Sequence, residues 1–329
     1  MPDRSRVLLI GCGQLGSRHL QAAALTPSVT EIEVVDPQPE SRELGKKRLE
    51  EVENQNPKLQ VRWLSSLREA ASEADLCIVA TRAQGRVGQI REAAGLGCRR
   101  FLVEKIVAPS ISEYEELIGF SRQRSLSIWV NCQGRGHPFH QKARQLLRDG
   151  GPIVFSVVGG NHGLATNGVH AADLFVFYTG AESIQEAGVW VDPVLHPSKR
   201  GEELFDLSGT LCGVSGNGSR FFLSYAGDHR NYEQFSVAGR DYRFLVDHLN
   251  LWSAESGPST GGQWRASFLS EDLRVSRMTR RFAEQILTEG RCDLPTLEES
   301  FVAHRFILES LRPHFNRLLK KEALLCPVT

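Results

Sequence analysis

Val7-Leu8-Leu9-Ile10-Gly11-Cys12-Gly13-Gln14-Leu15-Gly16 is the stretch on which the fold of this chain turns. Four apolar residues run into G-x-G-x-x-G, and Ser17–Leu25 continues with helical spacing. A second apolar run, Glu31–Val35, ends at Asp36, twenty residues after Gly16. Strand, glycine loop, helix, strand and acid at this spacing form the dinucleotide-binding fingerprint. The glycines let the backbone turn tightly and approach a pyrophosphate. Gly11, Gly13, Gln14, Leu15 and Gly16 then seat it at a positive helix terminus. Asp36 is expected to accept hydrogen bonds from ribose hydroxyls and to repel a 2′-phosphate. Pro37-Gln38 brings no adjacent base, so NAD is preferred to NADP, a preference that Arg42, the nearest cation, weakens slightly.

Outward from this stretch, strand and helix signals alternate as far as residue 135. Glu40–Asn54 is a solvated helix of mixed charge. Leu76–Ala80 is a continuous apolar run, as in a parallel strand covered on both faces. Helix Gly88–Leu96, strand Phe101–Val103, helix Ser112–Arg122 and strand Ser127–Val130 follow. The pattern predicts an α/β Rossmann domain over 1–135, with a doubly wound parallel sheet.

Beyond 135 the texture changes. Helix His140–Arg148 leads to strand signals at Ile153–Val158, Ala187–Val191, Leu204–Cys212, Ser219–Tyr225, Glu233–Ala238 and Tyr242–Asp247. Polar, Gly-bearing turns join most of them. Residues 136–329 therefore read as an α+β domain, for substrate and oligomerisation, with an open, mainly antiparallel sheet. Helices are expected at Leu164–Tyr178, Ser270–Gly290 and Leu297–Phe315, and a mobile loop at Ser253–Arg265.

The composition excludes several classes of function. Thirty-nine basic residues balance thirty-nine acidic ones, so the long-range field of a nucleic-acid or anionic-membrane binder is missing. No apolar run nears the roughly 20 residues of a membrane span, and no export signal precedes the first strand, which favours the cytoplasm. The seven scattered cysteines include no CxxC pair and read as buried free thiols rather than disulfides or a metal site.

Thr81 and Arg82 follow the Leu76–Ala80 strand, where an open parallel sheet places its ligands. Glu104-Lys105 follows the next strand. Desolvation there, beside a positive nicotinamide, lowers an ammonium pKa and makes Lys105 a usable proton carrier near neutrality. Glu104 is expected to bind the cofactor ribose or to orient Lys105. Thr166, His170 and Asp173 fall at i, i+4 and i+7 on one helix face. Asn161, His162, Thr166 and Asn167 are polar groups suited to substrate hydroxyls, and Arg135 to a substrate carboxylate or phosphate.

With these residues in place, the chain resembles the glucose–fructose oxidoreductase / inositol dehydrogenase / rhizopine-catabolism (Gfo/Idh/MocA) family. The resemblance rests on Gly11–Gly16, Glu104-Lys105 and Gly168-Val169-His170-Ala171-Ala172-Asp173, and spans nearly the whole chain. It implies a Rossmann domain followed by an open antiparallel sheet. It also implies a catalytic lysine at Lys105, a histidine facing nicotinamide at His170, and Asp173 orienting that histidine. Two positions depart from the family: Ile106 stands where proline is common, and Thr166 where a catalytic aspartate is usual. The reading that follows is an NAD-dependent dehydrogenase or reductase of a CH–OH group on a sugar, amino sugar or sugar acid. The partners expected are a carbohydrate-like small molecule and further copies of the chain, as a homodimer or homotetramer. The alternatives are an enzyme that retains and recycles its cofactor, and a non-catalytic dinucleotide-binding regulator, which Thr166 favours.

Overall fold

Val7, Leu8 and Leu9 are at most 1% exposed, because the strand they form is covered on both faces. That strand, β1 (Ser5–Ile10), is followed by α1 (Gly16–Ala24), β2 (Val29–Val35), α2 (Pro39–Glu50), β3 (Gln60–Leu64) and β4 (Leu76–Val79). Then come α3 (Arg86–Gly95), β5 (Arg100–Val103), α4 (Ile111–Gln123) and β6 (Ser127–Val130). The strands form one six-stranded sheet in the order β3-β2-β1-β4-β5-β6, every pair parallel. This is the doubly wound Rossmann arrangement, and it sets the C-terminal ends of β1, β4 and β5 side by side. The computed structural model describes residues 4–53, 55–71, 73–160, 163–198, 200–229 and 231–329.

The sequence pattern did not reveal β3. Its residues Gln60-Val61-Arg62-Trp63-Leu64 form a half-exposed edge strand, with Arg62 bonded across to Glu33 on β2. An edge of this kind lacks the apolar run that marks the central strands.

The remaining elements are α5 (Pro138–Leu147), β7 (Val154–Gly160), α6 (Gly168–Thr179), β8 (Ile184–Val191), β9 (His196–Pro197) and β10 (Phe205–Asp206). They continue with β11 (Gly209–Ser215), β12 (Arg220–Ala226), β13 (Gln234–Ala238), β14 (Arg243–Asp247), β15 (Trp252–Ser256) and β16 (Arg265–Phe268). Two helices, α7 (Val275–Glu289) and α8 (Leu297–Leu319), close the chain. An eight-stranded sheet runs β16-β15-β14-β13-β7-β12-β11-β8, antiparallel except for the parallel pair β7 and β12. Helices α6 and α8 cover one face. Phe175 lies 5.4 Å from Phe221 of β12, which lies 5.7 Å from Phe306 of α8. The opposite face carries exposed apolar side chains, with Val154 at 50%, Val158 at 42%, Phe222 at 38% and Trp190 at 64%.

Three sequence expectations change here. The expected loop over Ser253–Arg265 takes in most of β15 and the first residue of β16, because Ala254 pairs with both Leu245 and Ala266 and so lies within the sheet, next to its edge strand β16. The single strand expected over Leu204–Cys212 is broken into β10 and β11. The helix expected from Leu164 begins at Gly168, after a turn.

The chain forms two units. One comprises residues through Ala108, Ser112–Gln133 and Arg274–Leu297, and the other Pro109–Ile111, Gly134–Leu273 and Glu298–Thr329. A boundary at 135 assigns α7 to the second unit. Its Phe282 and Ile286 instead join Leu20, Ile32, Ile78 and Leu102 in the core of the first. Among the described residues, no helix is long and apolar enough to cross a membrane, and no acidic, His or Cys cluster is placed to hold a metal ion.

One buried cluster in the second unit is polar. His140 Nε2 lies 2.8 Å from His248 Nε2, and His140 Nδ1 lies 2.5 Å from the Tyr178 hydroxyl. His137 packs edge-on to His248 at 4.8 Å between ring centroids. Burial first, then the neighbouring imidazoles, pushes His140 well below the usual histidine range and His248 down to about 3, against the opposing pull of Asp247. Both rings are neutral in the fold and take up protons once it opens. Their contribution is therefore full above pH 6.5, the ordinary histidine value, and declines as pH falls towards the folded values. Between pH 6.5 and the ordinary carboxylate value of 4.5, stability should fall by about 1.4 kcal/mol per pH unit for each excess proton. His248→Gln should flatten that slope in pH-dependent melts. An unchanged slope contradicts the assignment.

Candidate functional site

The glycine loop joins β1 to α1 at a contact that only hydrogen permits. A Cβ at Gly16 would stand 2.0 Å from the Gly11 carbonyl oxygen. Gly11 has φ +88°, and a Cβ there would meet the Thr81 methyl group at 2.8 Å. Gly13 has no atom within 4 Å of its would-be Cβ, so the loop is open on that side. Asp36, at the end of β2, ties the loop down. Its Oδ2 accepts from the Cys12 amide at 2.7 Å and its Oδ1 from the Gln38 amide at 2.9 Å. Each carboxylate oxygen keeps a second lone pair. Burial, then the charge of Asp36, pushes the Cys12 thiol up to about 12, which leaves it a neutral packing group. The open glycine backbone, the start of α1 and the partly satisfied carboxylate together fit a dinucleotide.

Two cations at this loop were not recognised as site residues in the sequence. Arg48 of α2 donates to the Gln14 carbonyl oxygen at 2.6 Å and to Gln14 Oε1 at 2.5 Å. Arg42 donates to the Asp36 carbonyl oxygen at 2.5 Å. Within a helix of mixed charge, nothing local distinguishes Arg48 from its solvated neighbours.

At the ends of β4, β5 and β6 a second cluster forms. Glu104 is 2% exposed, and its Oε1 meets His19 Nε2 at 2.9 Å and Asn131 Nδ2 at 2.5 Å. His19 Nδ1 in turn lies 2.9 Å from Thr279 Oγ1 on α7. Burial alone raises the Glu104 pKa. The His19 and Asn131 hydrogen bonds and the charges of His19 and Lys105 outweigh it and hold the carboxyl down to about 2. Glu104 is thus a fixed anion, held by His19 and Asn131, whose charge is felt by Lys105. Arg86 of α3, fully buried, donates to the carbonyl oxygens of Thr81, Glu104 and Ile106 and so clamps the backbone on both sides of Lys105. The Lys105–Ile106 peptide is cis. Thr81 donates its hydroxyl to Gln89 Oε1 at 2.5 Å, a contact within the fold, and Arg82 is exposed. Neither Arg86 nor His19 stands out in sequence, since both lie on helices far from the residues they hold.

In the second unit, His170 lies in the first turn of α6. Asn161 and His162 lie outside the described residues. Thr166 precedes the helix, in a turn that Asp206 of β10 holds. The Asp206 carboxylate accepts from the amides of Ala165 at 2.9 Å and Thr166 at 3.0 Å, and from the Thr166 hydroxyl at 2.5 Å. Asn167 occupies the position before α6 and makes no side-chain cap. Arg135 and Asp173 find each other. Nε and Nη2 of Arg135 each donate at 2.8 Å to a different oxygen of Asp173, and both side chains are buried. Burial pushes the Asp173 carboxyl up, against the pull of the guanidinium. The expected roles, Arg135 meeting a substrate anion and Asp173 orienting His170, give way to this mutual pair.

Residues 5–132 match the model of an oxidoreductase family with an NAD-binding Rossmann fold, Gfo/Idh/MocA. The match lies almost wholly within the first unit. No curated protein sequence matches the chain. Solved structures resemble it over nearly its full length. UDP-N-acetylglucosamine 3-dehydrogenase from Acidithiobacillus ferrooxidans is 19% identical with TM-score 0.69, covering 93% of this chain and 95% of that one. A levoglucosan dehydrogenase in complex with NADH and levoglucosan is 16% identical with TM-score 0.73, covering 93% and 97%. A transcriptional regulator from Kluyveromyces lactis is 18% identical with TM-score 0.72, covering 95% and 90%. At these identities the likeness establishes the fold.

The Arg135–Asp173 pair makes a distinct prediction. Asp173→Ala leaves a buried guanidinium without its bidentate partner and should cost about 3–5 kcal/mol, read as a lowered melting temperature. Arg135→Met combined with Asp173→Leu should recover most of that loss. An Asp173→Ala protein with an unchanged melt contradicts the structural assignment.

Proposed function

We propose that the chain is an NAD(P)-dependent oxidoreductase that interconverts a carbinol and a carbonyl on a carbohydrate, with NAD preferred. The observation that carries this reading is Lys105 at the end of β5. Its backbone is clamped by Arg86 and its charge is balanced by a buried Glu104, in the same unit as a glycine loop fit for the dinucleotide. An ammonium only 8% exposed at the C-terminal edge of a Rossmann sheet is held where ligands of such sheets lie. The family match and the sugar-oxidising proteins among the structural neighbours support the same reading.

Lys105 delivers or removes the hydroxyl proton as the carbon changes oxidation state. Glu104 keeps the ammonium in place through its charge, and Arg86 keeps the backbone from swinging. Asp36 takes the ribose hydroxyls on its remaining lone pairs, and its charge disfavours a 2′-phosphate. When bound, the nicotinamide supplies the hydride acceptor or donor. The regulator among the neighbours favours a second reading, a dinucleotide-binding protein without turnover. Against it stand the buried charges invested around Lys105.

Lys105→Ala should leave NADH binding nearly intact and lower turnover on the best substrate of a sugar panel by a factor on the order of 10²–10⁴. Reduced-nicotinamide absorbance reads both. Turnover unchanged in the variant removes Lys105 from the chemistry, and NADH binding without turnover of any sugar favours the regulator.

A further inference from the structure

Where the glycine loop runs into α1, one carbonyl finds no donor in the main chain. The Gly13 carbonyl accepts from the Ser17 amide at 3.0 Å, and the Leu15 carbonyl from the amides of Arg18 at 2.9 Å and His19 at 3.2 Å. A regular α-helical turn would bring the Arg18 amide to Gln14, but here that amide goes one residue further, to Leu15. Among the described residues no amide reaches the Gln14 carbonyl, and the Ser17 hydroxyl approaches it only at 3.5 Å. Arg48 of α2 fills the place, its Nη1 donating at 2.6 Å.

The same guanidinium grips the loop twice more. Nη1 also donates to Ser17 Oγ at 2.6 Å, and Nη2 to Gln14 Oε1 at 2.5 Å. Ser17 has a single hydroxyl hydrogen, which goes to the Gly13 carbonyl at 2.7 Å. Arg48 thus holds Gln14 directly and Gly13 through Ser17. Its own backbone is tied back to α1. The Arg48 carbonyl accepts from Gln21 Nε2 at 2.7 Å, and Gln21 Oε1 accepts from Arg18 Nη1 at 2.8 Å. With three acceptors on α1 and its loop, this guanidinium is a tie between elements rather than a solvated charge.

A trans peptide is planar and sets its N–H opposite its C=O. The Gln14–Leu15 peptide is trans, so a Gln14 carbonyl drawn towards Arg48 turns the Leu15 amide to the other side. Among the described residues the Leu15 amide has no partner, and neither have the amides of Gly13, Gln14 and Gly16. We infer that Arg48 is a positioning residue for the dinucleotide: it fixes the Gln14–Leu15 peptide so that the Leu15 amide meets the diphosphate. The inference rests on the dinucleotide reading of the loop. It adds to that reading a residue 34 positions from the one it holds, outside the glycine motif.

The test labels glutamine at its carbonyl carbon and leucine at its amide nitrogen with NMR-active isotopes. In the full chain this leaves two linked pairs, Gln14–Leu15 and Gln145–Leu146, the second an internal reference. A single Gln14–Leu15 signal is expected, and ADP-ribose should shift it. Arg48→Met should displace or split that signal and leave Gln145–Leu146 in place. It should also weaken ADP-ribose binding about tenfold in calorimetry, roughly the worth of one hydrogen bond from a charged donor. Adenosine, which carries no phosphate, should bind both proteins alike. Arg48→Lys, with an ammonium that can still donate to the Gln14 carbonyl, should restore the signal and most of the affinity. Undiminished ADP-ribose affinity in Arg48→Met, an unmoved Gln14–Leu15 signal, or an equal loss for adenosine overturns the inference. So does a lysine variant that regains affinity while the signal stays displaced, because charge alone is then at work. An unaltered chain that binds neither NADH nor ADP-ribose removes the dinucleotide reading and the inference with it. Binding there, with an indifferent Arg48→Met, removes the inference alone.

Discussion

A hydrogen atom at Gly16, where any other residue has a methyl or larger group, is the constraint on which the first unit depends. With only 2.0 Å between the Gly11 oxygen and a would-be Cβ, α1 can start directly against the end of β1. That contact brings the first turn of the helix to the C-terminal edge of the sheet, and the Asp36 bond to the Cys12 amide ties the loop to the end of β2. The strand order then does the rest. Because β1 lies next to β4, and β4 next to β5, Thr81 and Glu104-Lys105 emerge along the same edge as the loop.

Charge at that edge is organised by burial. Glu104 is deep enough that desolvation works against its ionised form, yet His19, Asn131 and the Lys105 charge reverse the balance. The α7 helix takes part in this through Thr279, which holds His19 from the other side. A segment 260 residues downstream thereby fixes a group at the dinucleotide edge. Arg86 uses backbone oxygens to a similar end. A buried guanidinium on three carbonyls stiffens the chain around Lys105 far more than a solvated pair does.

What the sequence disclosed is what local chemistry determines. The G-x-G-x-x-G loop, its flanking strand and helix, and Asp36 lie within one βαβ unit, and their spacing alone specifies the turn. The antiparallel sheet was legible from short strands joined by Gly-bearing turns, whereas β3, at the edge of its sheet, and β15, next to the edge strand β16, were missed because strands of polar or small residues lack an apolar signature. Roles set by distant partners were hidden. Arg135 and Asp173 each suggested a ligand when read in isolation, and only the fold shows them satisfied by each other. Asp206, bonded to Thr166 from 40 positions away, has no sequence signal, since it involves neither a motif nor a helical period.

Calorimetric titration of the full, ligand-stripped chain with NADH and with NADPH tests the central claim most directly, alongside the Gly16→Val variant. The account predicts heat of binding for the unaltered chain, larger affinity for NADH than for NADPH, and loss of both in the variant while the second unit still melts cooperatively. No heat with either coenzyme in the unaltered chain would contradict it.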